Sequence, residues 1–318
     1  MKEHLKKYVD ESTTKEVRGL RILLEYFYAT EIFEHILQNK TKIISVFGSA
    51  RTRPESSEYK SACRLGELLY QQGFAVVTGA SRGIMQAANQ GVADAIARKI
   101  IRLKKAGSLE EARKIKIYKE ELKDYSVGLS ISLPKEAENN PYLGVNATFH
   151  YFMVRKFFFG TLSSGFIACE GGWGTRDELF EILTLVQTGK APVMPIAYLS
   201  KDPKYLELDM QHAVRKKYIA PEDLHLIDLV KTPEQAARVM KQFYRRVESI
   251  RYEKDYLVRI FLKQGVSAPT RKKVETILSE QGKCFLQIFW NKNELVLRDY
   301  APSSYGILKR AIHVLNQD

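Results

Sequence analysis

The feature that most constrains this chain is a repeating alternation. Short apolar, β-branched runs closed by glycine or proline are followed by stretches with helical spacing of their apolar residues. Residues 42–47 form such a run and end at Gly48; residues 57–72 have helical spacing and are closed by Gly73. Residues 74–78 end at Gly79, and 84–98 read as the next helix. The alternation continues with a strand over 126–133, a helix over 149–162 and a strand over 165–169 ending in Gly171-Gly172. A helix over 176–187, strands over 192–198 and 224–230, and a helix over 233–247 complete it. Strands alternating with helices require right-handed crossovers, which give a parallel sheet covered on both faces. The predicted fold is therefore α/β, a doubly wound, Rossmann-like parallel sheet.

Two regions flank this core. Residues 1–40 read as an N-terminal helical extension, with apolar residues at three- and four-residue spacings through Val17 to Phe27. Past residue 249 the order becomes strand 256–262, helix 270–279, strands 284–290 and 294–300, and helix 305–315, a small α+β domain. The expected domains are thus 1–40, 41–248 and 249–318. A basic helical insert over 99–124 reads as a projecting pair of helices whose charges form a solvated face. Its Ser108 and Glu111 have the spacing of a capping box.

Composition removes several classes. Of 318 residues, 45% are hydrophobic and 27% charged, enough apolar material for a sizeable core. The cysteines Cys63, Cys169 and Cys284 are widely spaced and odd in number. They suggest neither a disulfide framework nor a zinc site, and the six histidines show no metal spacing. No metal and no cofactor are expected. The first ten residues are polar, and no apolar run approaches a bilayer-spanning length. A cytoplasmic location and no membrane partner follow as expectations. The net charge of +13 suits anionic ligands, but a nucleic-acid partner would rest on charge alone and is not expected.

In an open parallel sheet, ligands bind at the carboxyl ends of the strands. Three of those ends carry glycine: Gly48-Ser49-Ala50-Arg51, Gly79-Ala80-Ser81-Arg82-Gly83, and Gly171-Gly172-Trp173-Gly174-Thr175. The last two run straight into helices, whose free N–H groups and dipole favour phosphate. Any one turn could need glycine for packing; three on one sheet edge favour a phosphorylated ligand. None is GxGxxG or GxxxxGK[ST], and the chain has no HExxH. Thr175 and Glu178 stand as T-x-x-E. Either Thr175 caps the helix and Glu178 reaches back to it, or Glu178 faces a ligand whose phosphate sits at the helix start. Arg155-Lys156 interrupts an aromatic run, where two cations are costly unless they reach solvent, a carboxylate or an anionic ligand.

Phe152-Met153-Val154-Arg155-Lys156, followed by Glu170-Gly171-Gly172-Trp173-Gly174-Thr175-Arg176-Asp177-Glu178, resembles the LOG family, whose paired motifs are RK and PGGxGTxxE. The first two glycine turns, Asn140-Pro141-Tyr142 and the segment from Leu185 to Lys190 resemble its longer bacterial members, over about residues 42–247. The resemblance implies a nucleoside 5′-monophosphate phosphoribohydrolase, releasing free base and ribose 5-phosphate. Members act on cytokinin riboside monophosphates or on ordinary purine and pyrimidine monophosphates, AMP among them. They are often labelled lysine decarboxylase, but no motif here points to a pyridoxal phosphate lysine.

The resemblance also assigns roles. Arg155 and Glu178 become the catalytic candidates, with Arg155 holding Glu178 ionised or contacting substrate. Gly171, Gly172, Gly174 and Thr175 would cradle the 5′-phosphate. Gly48, Ser49, Gly79, Arg82, Gly83 and Lys156 would lie along the nucleotide. A homodimer or larger homo-oligomer is implied. Three departures stand out: Glu170 replaces the family proline, Ala80-Ser81-Arg82 replaces a glycine-rich run, and Gln86 stands where relatives often have glutamate. Arg82 offsetting Glu170 is one reading of them. A non-catalytic nucleotide-binding or sensing protein on the same fold is the alternative function.

Overall fold

The computed structural model describes residues 15–38, 41–103, 105–132, 140–254, 256–280 and 286–317. The chain divides into two compact units: Met1–Val46 with Ala50–Ser163, and Phe47–Ser49 with Ser164–Asp318. Among the described residues no helix is long and apolar enough to cross a membrane.

A seven-stranded sheet has the order β4-β3-β2-β1-β5-β6-β7. Its strands are β1 (Ile43–Phe47), β2 (Ala75–Thr78), β3 (Ser126–Ile131), β4 (Val145–Phe149), β5 (Gly165–Cys169), β6 (Ile196–Leu199) and β7 (Asp228–Val230). Within the first unit, β1 pairs β2, β2 pairs β3 and β3 pairs β4, all parallel. Within the second, β5 pairs β6 and β6 pairs β7, again parallel. Every residue of β1, β2 and β5 is buried, which is why these strands read as unbroken apolar runs.

In the first unit, helix α1 (Lys15–Gln38) buries Ala29, Phe33 and Ile36. Helix α2 (Ser57–Gln71) starts at Ser56, whose hydroxyl accepts from Tyr59 N–H. It packs tightly on α3 (Ile84–Arg102): a side chain on Gly66 would collide with the Ala88 carbonyl. The basic insert forms α4 (Leu109–Lys114) and α5 (Lys116–Tyr125). It does not project. Ala112, Tyr118 and Leu122 are buried, and Arg113 and Lys99 pair with Asp94 and Glu121. Helix α6 (Phe152–Leu162) closes the unit.

The predicted helix over 149–162 is therefore shortened. Residues Val145–Phe149 form β4 at the sheet edge, burying only Ala147 and Phe149. That alternate burial is the mark of a half-exposed strand, and it was hidden by the aromatic run that follows.

The second unit holds α7 (Trp173–Gln187), α8 (Lys204–Arg215), a 3-10 turn (Pro221–Leu226) and α9 (Pro233–Phe243). The strand expected over 192–198 begins only at Ile196. Prolines at 192 and 195 donate no N–H, and the Pro195 carbonyl instead accepts from Phe166. The strand expected over 224–230 is the 3-10 turn followed by β7. Asp223 ties that turn by accepting from Ala220 N–H, Gln187 and Ser304. Helix α8 has no counterpart in the sequence reading. The helix expected to reach residue 247 ends at Phe243, and Val247–Glu253 is a strand, β8.

With β9 (Leu257–Leu262), β10 (Gln287–Asn291) and β11 (Glu294–Arg298), β8 forms an antiparallel sheet of order β10-β11-β9-β8. Helices α10 (Ala268–Ser279) and α11 (Gly306–Leu315) accompany it. The start of the strand expected over 284–290, with Cys284, lies outside the described residues, as do Leu133 at the end of the third expected strand and residues 1–14 and 39–40 of the extension.

Candidate active site

In the second unit the structure brings the first and third glycine turns together. Phe47, the last residue of β1, stacks on Phe166 of β5 with ring centroids 5.9 Å apart. Beyond it, Ser49 N–H donates to the Glu170 carbonyl at 3.1 Å. A Cβ on Gly171 would collide with the Thr175 hydroxyl and stand 3.0 Å from Ser49 N, so close approach dictates glycine there. Gly172 and Gly174 differ: among the described residues a Cβ on either would meet nothing within 4 Å. Protein packing does not ask for glycine at these two positions, and the space over the turn is open.

Helix α7 begins three residues earlier than the T-x-x-E spacing suggests. Gly172 is its N-cap, no side chain caps it, and Thr175 already lies inside the first turn. The capping-box reading of Thr175 is thus overturned. Its N-cap residue has no side chain to offer the N–H groups at the helix start, an arrangement that suits an anion. Thr175 and Glu178, one turn apart, are both buried, at 8% and 6% exposure. A carboxylate so withdrawn from water is unusual on a surface helix and marks a working group or a fully partnered one.

Glu170, the departure from the family proline, is held within its unit. Its carboxylate accepts from the Ser200 hydroxyl, whose oxygen in turn accepts from Asp202 N–H at 3.1 Å. Cys169 beside it is buried; burial, then the charge of Glu170, pushes its thiol up to about 12. It is a core residue with no thiolate at neutral pH. The sequence reading missed Trp173, which is 86% exposed within the glycine turn. The Arg176 guanidinium lies 5.9 Å from its ring and 4.9 Å from that of Tyr205. A tryptophan between two glycines was the available signal.

In the first unit the structure brings Arg155 to the second glycine turn. A Cβ on Gly79 would stand 3.8 Å from an Arg155 guanidinium nitrogen and 3.0 Å from Met85 Sδ. The guanidinium lies over the rings of Phe152 and Phe159, at 5.0 and 5.7 Å. Arg155 and Lys156 are both half-buried, and Arg82 is exposed. Gly83 is the N-cap of α3 with φ 66° and ψ −132°, a backbone only glycine adopts readily. Ala80 has φ 60°, a left-handed conformation unusual for alanine.

Two supports of this turn were not foreseen. A buried polar network fixes it from below. Thr78 donates to Asn89 Oδ1 at 2.7 Å and accepts from Ala80 N–H, while Asn89 donates to Ser126 at 2.9 Å. Asn140 donates to Asn89 and accepts from Tyr142 N–H, which explains the Asn140-Pro141-Tyr142 segment. The second support is Glu25 of α1, 5% exposed. Its carboxylate accepts from His150 N–H at 2.6 Å and Tyr151 N–H at 3.2 Å, with His150 Nδ1 at 3.0 Å. It thereby caps the start of α6, the helix that carries Arg155. A lone glutamate inside an apolar helix stripe was the trace it left in the sequence.

Comparison with known proteins adds a family. Residues 85–240 match the family model described as "Possible lysine decarboxylase". A bifunctional cytokinin biosynthesis protein of Fusarium pseudograminearum (strain CS3096) is 23% identical over 231 residues, covering 71% of this chain and 46% of that protein. A probable cytokinin riboside 5′-monophosphate phosphoribohydrolase of Oryza sativa subsp. japonica is 31% identical over 90 residues, 28% of this chain and 36% of that one. The chain thus spans less than half the length of these relatives. Among solved structures, the molybdenum cofactor binding protein of Rippkaea orientalis has a TM-score of 0.41 at 20% identity, covering 63% of this chain and 96% of that one.

Proposed function

This chain is a LOG-family protein, and from that premise we propose that it hydrolyses the N-glycosidic bond of a nucleoside 5′-monophosphate. The products are the free base and ribose 5-phosphate. The observation that carries the reading is the turn after β5. Gly172 and Gly174 meet no described residue where a side chain would stand, Gly172 is an N-cap without a side chain, and the buried carboxylate of Glu178 follows one turn on. Phosphorylated ribosides named for the rice relative supply the matching chemistry.

In the proposed reaction the 5′-phosphate sits on the N–H groups at the start of α7, with Gly171 and Thr175 shaping the turn. The C1′–N bond breaks with its electron pair passing to the base, and positive charge builds on the ribose ring. The Glu178 carboxylate stabilises that charge and takes a proton from the attacking water, whose oxygen forms the new C1′–O bond. That proton ends on the departing base nitrogen. Arg155, stacked beside the second glycine turn, contacts the anionic substrate, with Gly48, Ser49, Gly79, Arg82, Gly83 and Lys156 along the nucleotide.

The test is product analysis. Pure protein incubated with each common nucleoside monophosphate, and with the matching nucleosides, should yield free base and ribose 5-phosphate from monophosphates only. Equal turnover of nucleosides would remove the phosphate from the account. Tight monophosphate binding without any product would leave a nucleotide-binding protein and no enzyme.

A further inference from the structure

We propose that the second unit carries a separate binding pocket for a phosphorylated small molecule with a flat apolar portion, formed where α9, the 3-10 turn, α10 and α11 meet. A cavity of about 780 Å³ opens there, within the range of sites that hold nucleotide-sized ligands. Lys309, Arg310 and His313 of α11 line it, with Arg245 beyond α9 and His225 of the 3-10 turn. Among the described residues Asp228 is the one carboxylate in that lining. The remaining wall is apolar and includes Ile227, Phe243 and Val314. Among the described residues three basic side chains face one acid beside an apolar wall, a lining that matches a phosphate joined to a ring.

Lys309 strengthens the case. It is 8% exposed and donates to the Leu226 carbonyl at 3.0 Å and to Asp228 at 2.8 Å. Burial lowers its pKa, against the opposing effect of Asp228. Its charge is therefore held at a cost to the fold, where an apolar side chain of similar size would serve packing as well. A buried cation kept in spite of that cost fits a role toward an anion. His225 senses the same field: burial, Arg310 and Lys309 push it below the usual imidazole range, against Glu222 and Asp228. Arg310 is paired with Glu280 at 2.7 Å, but both side chains are partly exposed, so a phosphate can displace that partner at little cost.

The pocket is distinct from the glycine turns. Asp228 is the first residue of β7, whereas the turn at Gly171 follows the last residue of β5. These strands run parallel in one half-sheet, so the two places lie at opposite strand ends. An occupant there would act as an effector and not as the substrate.

The imidazoles of His225 and His313 report on the pocket directly. Their NMR signals, assigned through His225→Gln and His313→Gln, would be followed in the full chain during titration with ADP and with inorganic pyrophosphate. ADP should shift both signals and raise the apparent pKa of His225, and pyrophosphate should do so with at least tenfold weaker affinity. Arg310→Glu should weaken the ADP response at least tenfold. If that variant melts early, Arg245→Glu takes its place. No shift with millimolar ADP, or a shift undiminished in the charge-reversed variant, overturns the proposal. Equal affinity for ADP and pyrophosphate overturns its apolar part.

Discussion

Ala80 and Gly83 sit three residues apart, both with positive φ, and only one of them is glycine. An L-residue in the left-handed region costs about 1–2 kcal/mol, while glycine loses about 0.5–1 kcal/mol more backbone entropy on folding. Ala80→Gly should therefore leave stability unchanged or raise it by up to about 1 kcal/mol. Gly83→Ala should lower it by about 1–3 kcal/mol, since its ψ of −132° suits glycine alone. Thermal melts of the two variants test both signs. A second prediction concerns Cys169, whose thiol burial pushes up to about 12. Native protein treated with iodoacetamide at pH 8 and mapped by mass spectrometry should show Cys169 unmodified; rapid alkylation would mean the end of β5 opens to solvent. At this scale the glycine turns were legible because glycine itself marks them. The role of Thr175 was not, because a T-x-x-E spacing does not say where the helix begins. That is set by Gly172 and by the contact between Gly171 and Thr175.

Helix α6 owes its placement to α1. Through Glu25 the extension satisfies the N–H groups ahead of α6 and puts a negative charge at its positive end. Glu25→Gln keeps the side-chain length but turns an amide toward one of those N–H groups. It should destabilise the protein by about 1–3 kcal/mol, as expected when a buried charged hydrogen bond is lost. Because Arg155 rides on α6, turnover in the proposed phosphoribohydrolase reaction should fall well beyond what the loss of folded protein explains. Denaturant unfolding and kcat measured on the folded fraction separate the two effects; full kcat in the variant would make Glu25 structural alone. Element assignment from sequence failed where burial is one-sided or short. Strand β4 exposes alternate residues, β8 alternates only loosely, and the Asp223-tied turn looked like a strand because Leu224, Leu226 and Ile227 are apolar. The contact of Glu25 with His150 spans more than a hundred residues, and no local pattern carries such information.

At the scale of the molecule, the doubly wound parallel sheet was legible because its central strands are buried on both faces, and burial of that kind writes itself as apolar runs. The order of strands within each unit depends on which strands pair, and residue periodicity does not encode pairing. Within the second unit the hydrogen bond from Ser49 N–H to the Glu170 carbonyl sets the first and third glycine turns side by side, which is the geometry the proposed reaction needs. The account stands or falls on the acid that follows. The most direct measurement compares single-turnover release of free base from a nucleoside monophosphate by the parent protein and by Glu178→Gln, with monophosphate affinity measured alongside. The prediction is a rate lower by about 10²–10⁴-fold with affinity changed by no more than a few fold. A variant that releases base at nearly the parent rate would contradict it.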